Sequence, residues 1–165
     1  MVLEQVTTPG RVRPIEVPPA ARARSTLTRI DYEDAFLVET DHAQDRTAEQ
    51  WVRAILEHGP TPMRRALRRA WLALGLRLGS TRSERLVLGW EVRRSRPEFA
   101  LLGAGSRIGL PAEVLLERQQ HTLLLATFVQ HENRIARALW KRVAPGHRRV
   151  VRYVLEHRTR VRPAR

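Results

Sequence analysis

His147 falls on the apolar stripe of the C-terminal segment. Ala136, Trp140, Val143, His147, Val151 and Val154 recur three or four residues apart, the spacing of one helix face. Histidine is the residue type suited to proton transfer near neutral pH, so this position fits proton transfer, the orientation of a polar ligand group, or a plain hydrogen-bonded core histidine. The sequence assigns no catalytic residue outright; His147 is the candidate. Arg118 is the second group of interest. In the segment 112–119, Ala112, Val114, Leu116 and Arg118 share one strand parity, while Glu113, Leu115, Glu117 and Gln119 share the other. With the first set facing inward, Arg118 is a cation aimed at an apolar interior. That is costly unless a carboxylate, a ligand anion or water meets it, or unless it sits at the rim and reaches solvent.

Other clusters carry less chemistry. His121 and His131 share parity but stand ten residues apart, roughly 33 Å along a straight strand and too far for one metal ion. The run Gly103-Ala-Gly105-Ser-Arg-Ile-Gly109 has one residue too many for a dinucleotide fingerprint and leads into a strand, so it reads as a hairpin loop. Asp31, Glu33 and Asp34 suggest paired carboxylates, but alternation splits them across strand faces and solvated edge charges explain them equally well. Trp51, Trp71, Trp90 and Trp140 read as core or cavity wall. No metal or cofactor is expected.

The elements that position these groups follow from period and punctuation. Residues 1–29, with Pro9, Pro14, Pro18 and Pro19, read as an extended or flexible arm, part of which lies across the domain. A first strand is expected over 30–39. Thr47 and Gln50 form a capping-box pattern that starts a helix with Trp51 and Ile55 on its apolar face, and Gly59-Pro60 ends it. A second helix spans 61–76, with Met63, Leu67, Trp71 and Leu74 on one side and Arg64, Arg65, Arg68 and Arg69 on the other. After Gly79 the period becomes strand-like over 85–94, 98–104, 112–119 and 121–131. The connections are too short for crossover helices, so an antiparallel meander is expected. A long helix closes the chain, with a kink expected at Pro145-Gly146.

Composition bounds the partners. At 165 residues one domain is expected, burying roughly 70% of its unfolded surface. No apolar run approaches the roughly 18–20 residues of a membrane span, and the longest, 122–129, is strand-sized. The absence of cysteine removes disulfides, cysteine-ligated zinc and thiol catalysis, and with no apolar signal core at the start a cytoplasmic location is the default expectation. Residues 133–165 hold eleven Lys/Arg against Glu156 alone, so about ten of the thirteen net positive charges sit there, while 30–132 is neutral. Clustered cations point to nucleic acid or anionic membrane, but Lys141 is the one lysine among thirty basic residues, an arginine preference that GC-rich coding also produces.

The order strand, two short helices, antiparallel meander and long terminal helix is similar to the helix-grip fold of the START-like superfamily, an α+β class. Ile30-Asp-Tyr-Glu-Asp-Ala-Phe36, Thr47-Ala-Glu-Gln-Trp51, Glu132-Asn-Arg-Ile-Ala-Arg-Ala-Leu139 and Val143-Ala-Pro-Gly-His-Arg-Arg-Val-Val-Arg152 resemble an actinobacterial branch carrying a domain of unknown function. The chain departs from that pattern at Ile135-Ala136 and Ala144-Pro145-Gly146. The resemblance implies a helix-grip domain over 30–158, a basic tail over 159–165, and a curved sheet wrapped around the terminal helix with a cavity between them. Trp71, Phe99, Leu101, Val114, Leu116, Arg118, Leu125, Trp140, Val143 and His147 would line it. The expected ligand is a small hydrophobic molecule, lipid or polyketide-like. Two other readings stay open. One is an arginine-rich peripheral protein that meets nucleic acid or anionic membrane through Arg64, Arg65, Arg68, Arg69, Arg148, Arg149 and Arg152. The other is a cyclase or hydratase of the polyketide type with His147 as its acid or base.

Overall fold

Alternation decides which side of a sheet each strand residue faces, and here both sides are apolar. The computed structural model describes residues 11–159. Seven strands form one open antiparallel sheet: β1 (Val12–Ile15), β2 (Tyr32–Glu39), β3 (Leu86–Val87), β4 (Trp90–Ser95), β5 (Phe99–Ala104), β6 (Ala112–Arg118) and β7 (Thr122–Val129), in the spatial order β1-β2-β7-β6-β5-β4-β3. Phe36 and Leu116 both pair with Leu125, and Val114 pairs with Leu102 and Thr127. These residues share the face that packs against the helices α2 (Ala48–Leu56), α3 (Thr61–Ala73) and α4 (Arg134–Arg158). The opposite face carries Leu101, Leu115, Leu124, Ala126 and Phe128. β7 therefore reads as a near-continuous apolar run because neither of its faces meets water.

The back face is covered by the N-terminal arm. Residues 1–10 lie outside the described residues. From Arg11 onward the chain adds β1 to β2, makes a single helical turn α1 (Pro19–Arg22), and lays Val17, Ala21, Leu27 and Ile30 over the back of the sheet. Pro14 is tolerated because β1 is an edge strand. Burial of these side chains supplies what the short strand's own propensity lacks.

The buried carboxylate Glu113 pins this strap. It is fully buried and accepts hydrogen bonds from Ser25 Oγ at 2.5 Å, from the Thr26 amide at 3.0 Å, from the Thr26 hydroxyl, and from Arg93 Nη1 at 2.8 Å. A buried charge persists where its lone pairs are met in this way. Gly103 belongs to the same device. It stands opposite Glu113 in the sheet, and a Cβ there would collide with the guanidinium of Arg93, so glycine within β5 permits the close approach.

The capping box forms as its residues dictate. Thr47 Oγ1 accepts from the Gln50 amide at 3.2 Å and Gln50 Oε1 from the Thr47 amide at 2.9 Å, with Trp51 and Ile55 buried behind. α3 is less anchored, because Leu67 is its one fully buried residue. The segment expected as a strand over 85–94 is instead a tight hairpin. Leu88 and Gly89 turn at φ 49° and 95°, both in the left-handed region that two-residue hairpins require. A leucine there is strained, and its burial at 4% exposure offsets the cost. In α4, Asn133 caps the start by accepting from the Ala136 amide at 2.7 Å. The stripe from Ala136 to Val154 meets the sheet, and the helix continues across Pro145 although the Lys141 carbonyl loses its N–H partner. Thr159, expected to begin the basic tail, is buried and donates its hydroxyl to the Leu155 carbonyl at 2.6 Å; residues 160–165 lie outside the described residues.

Candidate functional site

Between the helix-facing side of the sheet and α2, α3 and α4 lies a cavity of about 100 Å³. Its walls follow from the two periods: Val114, Leu125 and Val129 come from inward strand parity, and Val151, Val154 and Leu155 from the stripe of α4. Trp71 and Trp90 meet edge to face at 5.4 Å on the α3 side.

Polar groups are few, and most lack partners. The buried Trp90 Nε1 and Trp140 Nε1 donate to nothing among the described residues, although both indoles line the cavity. Buried indole N–H groups ordinarily find an acceptor. Thr127, buried and on inward parity between Leu125 and Val129, adds a hydroxyl. His147 is the fourth. Its Nε2 lies 3.1 Å from Asp34 Oδ2, near enough for an ion pair when the ring is protonated, yet it has no aligned hydrogen bond.

Asp34 gives His147 its setting. The Tyr32 hydroxyl donates to Asp34 Oδ2 at 2.6 Å and accepts from Arg148 Nε at 2.9 Å, which makes a relay from guanidinium to phenol to carboxylate. Burial pushes the Tyr32 phenol well above its ordinary value, the bond to Asp34 adds to this, and Arg148 opposes it. The same phenol raises Arg148. Tyr32 meets Trp140 edge to face with ring centres 5.1 Å apart, and the Trp140 and His147 rings are tilted at 54° with centres 5.3 Å apart. A carboxylate with one oxygen unpaired beside an imidazole can hold the ring, stabilise its cation or take its proton.

This corrects the reading of Asp31, Glu33 and Asp34 as solvated edge charges. β1 pairs with β2 only from Ala35 to Val38, yet the Asp34 side chain, beside His147, is only 10% exposed. Glu33 pairs with Arg22 on the back of the sheet. Asp31 binds Arg29 at 2.8 Å and accepts from the His131 amide at 2.7 Å. Burial alone would raise its carboxyl; those bonds outweigh it and hold the group below its usual range.

Of the ten residues expected around a cavity, Trp71, Val114, Leu125, Trp140 and His147 line it. Leu116 is buried on the same face, and Val143 packs against that core, without reaching the cavity. Phe99 and Leu101 are corrected outright. They pair with Glu117 and Leu115, so β5 register puts them on the back face, where Arg24 lies 3.8 Å over the Phe99 ring. Arg118 is not in the lining: it ends β6, in keeping with the rim alternative, and donates Nη1 to the Arg46 carbonyl at 3.0 Å.

The basic residues divide in the same way. Arg68 is no open contact point, since it donates to the carbonyls of Gly79 and Leu88 and holds the β3–β4 hairpin. Arg64 reaches Thr61, Arg148 reaches Tyr32, and Arg152 pairs with Glu156 at 2.9 Å. Arg65, Arg69 and Arg149 are exposed. Among the described residues no three His, Cys, Asp or Glu side chains are placed to hold a metal ion, and no helix is long and apolar enough to cross a membrane. Compared with known proteins, the chain matches no family model, no curated protein and no solved structure.

Proposed function

We propose that this chain is a START-like, helix-grip protein that holds a small, mainly apolar molecule between its sheet and α4. One observation carries the reading: the cavity is walled by hydrocarbon, and the buried indole N–H groups of Trp90 and Trp140 at its edge find no acceptor among the described residues. A ligand with an apolar body and one or two acceptor oxygens would satisfy them, and His147 and Thr127 add further polar contacts. The volume of about 100 Å³ falls below the roughly 300–1,000 Å³ of sites for drug-sized ligands, so the occupant is small or α3 moves outward to admit it. Order and topology of the elements support the helix-grip assignment: an open antiparallel sheet, two helices after the long strand β2, and a terminal helix on the same face.

Native mass spectrometry of the purified protein, before and after organic extraction, tests this. A stoichiometric apolar adduct is expected, and Val114→Phe, which fills the cavity, is expected to lose it. An adduct unaffected by that substitution would place the ligand elsewhere and refute the reading.

The Asp34–His147 contact favours a second reading, a cyclase- or hydratase-like proton transfer at the cavity's polar end. It requires turnover that His147→Ala abolishes without unfolding the protein; equal turnover in that variant would remove it.

A further inference from the structure

On the other side of Trp140 lies a groove of about 390 Å³, lined among others by Tyr32, His131, Arg137, Lys141 and Arg148. Arg137, Lys141 and Arg148 are spaced four and seven residues apart, which puts them on one face of α4. Arg137 and Lys141 make no hydrogen bond or ion pair with any described residue, and Arg148 uses only Nε, on the Tyr32 hydroxyl. Like charges four apart on a helix repel, so the Arg137–Lys141 pair weakens α4 unless an anion joins it. The one carboxylate in the lining, Asp31, is already matched by Arg29 and the His131 amide. Tyr32, Trp140, Ala144 and Pro145 give the groove an apolar floor. Trp140 lines this groove and the interior cavity alike, and its Nε1 is buried without a partner.

We infer that the ligand is an anionic amphiphile: a carboxylate or phosphate head sits against Arg137, Lys141 and Arg148, and the apolar tail enters the cavity past Trp140. This rests on the cavity reading above and adds the charge of the head group and the direction of entry. Guanidinium and ammonium donors at a half-enclosed groove recognise carboxylate or phosphate oxygens, and hydrogen bonds to a charged group are the stronger kind.

The test uses octanoate, octan-1-ol, octylammonium, acetate and inorganic phosphate, titrated by calorimetry into the full chain and into the double variant R137Q/K141Q. Both substituted side chains are exposed and unbonded, and circular dichroism with the melting temperature checks the fold. Octanoate is expected to bind about tenfold more tightly than octanol, with octylammonium weakest, and the double variant is expected to equalise octanoate and octanol while leaving octanol unchanged. Arg148→Gln serves as a second variant, with the same loss of preference expected. If octanoate and octanol bind alike to the unmodified protein, or octanoate is insensitive to both variants, the head-group assignment falls and the cavity stands. If acetate or phosphate binds as tightly as octanoate, the groove takes free anions and the amphiphile is refuted. If no octyl compound binds, the cavity reading fails first and takes this inference with it.

Discussion

Replacing Glu113 by alanine removes the acceptor on which Ser25, Thr26 and Arg93 converge. Each hydrogen bond to a charged group contributes about 1.5–3 kcal/mol, but these are not additive, because the strap can swing its donors back to water. Arg93 keeps about a quarter of its side chain exposed, at 24%, so the cation left behind is partly rehydrated. That places the cost near the lower end of the 3–5 kcal/mol typical of breaking a buried pair, at about 3 kcal/mol. With roughly 2–4 °C per kcal/mol for a domain of this size, the melting temperature is expected to fall by about 6–12 °C. Urea unfolding followed by tryptophan fluorescence measures the free energy directly. Gly103→Ala supplies the second leg of a cycle, since its methyl would push Arg93 off Glu113. The double variant E113A/G103A is expected to cost clearly less than the sum of its parts. A cost for E113A within about 0.5 kcal/mol, the range of ordinary surface substitutions, would mean that the carboxylate is solvated and the strap is not seated on it.

Three further outcomes are expected. The phenol of Tyr32 is held above its ordinary value of about 10, so its contribution to stability is complete below that pH and is lost as pH rises beyond it. Urea midpoints between pH 9 and 11.5 should fall less steeply in Tyr32→Phe, and identical slopes would argue against the buried relay. Burial lowers His131 below 6.5, which gives stability present above that pH and lost as pH falls; His131→Gln should flatten the acid limb, with Asp31, Arg29 and Arg137 around it unchanged. In hydrogen exchange, the amides of α3, which buries only Leu67, should exchange faster than those of the sheet-facing half of α4, and equal protection would show α3 to be a fixed wall.

What the sequence made legible is what repeats along it. The stripe from Ala136 to Val154, the Thr47/Gln50 box and the inward parity of Ala112, Val114 and Leu116 each depend on neighbours within a few residues, and each is where local reasoning puts it. β1 escaped notice because four residues containing a proline have no strand signal of their own; pairing with β2 and burial of Val12 hold it. Leu88 at a turn position is invisible for a similar reason, since its strain is offset by a core that only the fold assembles. Phe99 and Leu101 were misplaced because parity within β5 is readable while its register against β6 is not. Asp34 and His147 are brought together by the packing of β2 against α4, and no local pattern joins residues so far apart in the chain.

The strap has a consequence for how the protein comes into being. Ser25 and Thr26 leave the ribosome long before Glu113, the residue they bind 88 and 87 positions later. Until Glu113 is made they have no destination, and until they are seated Leu101, Leu115, Leu124 and Phe128 have no cover. The strap is thus made before its seat exists, and its closure is long-range, the kind that slows folding and leaves an apolar sheet face open while it waits. A truncation begun at Ile30, where the sequence suggested the domain starts, would make that interval permanent.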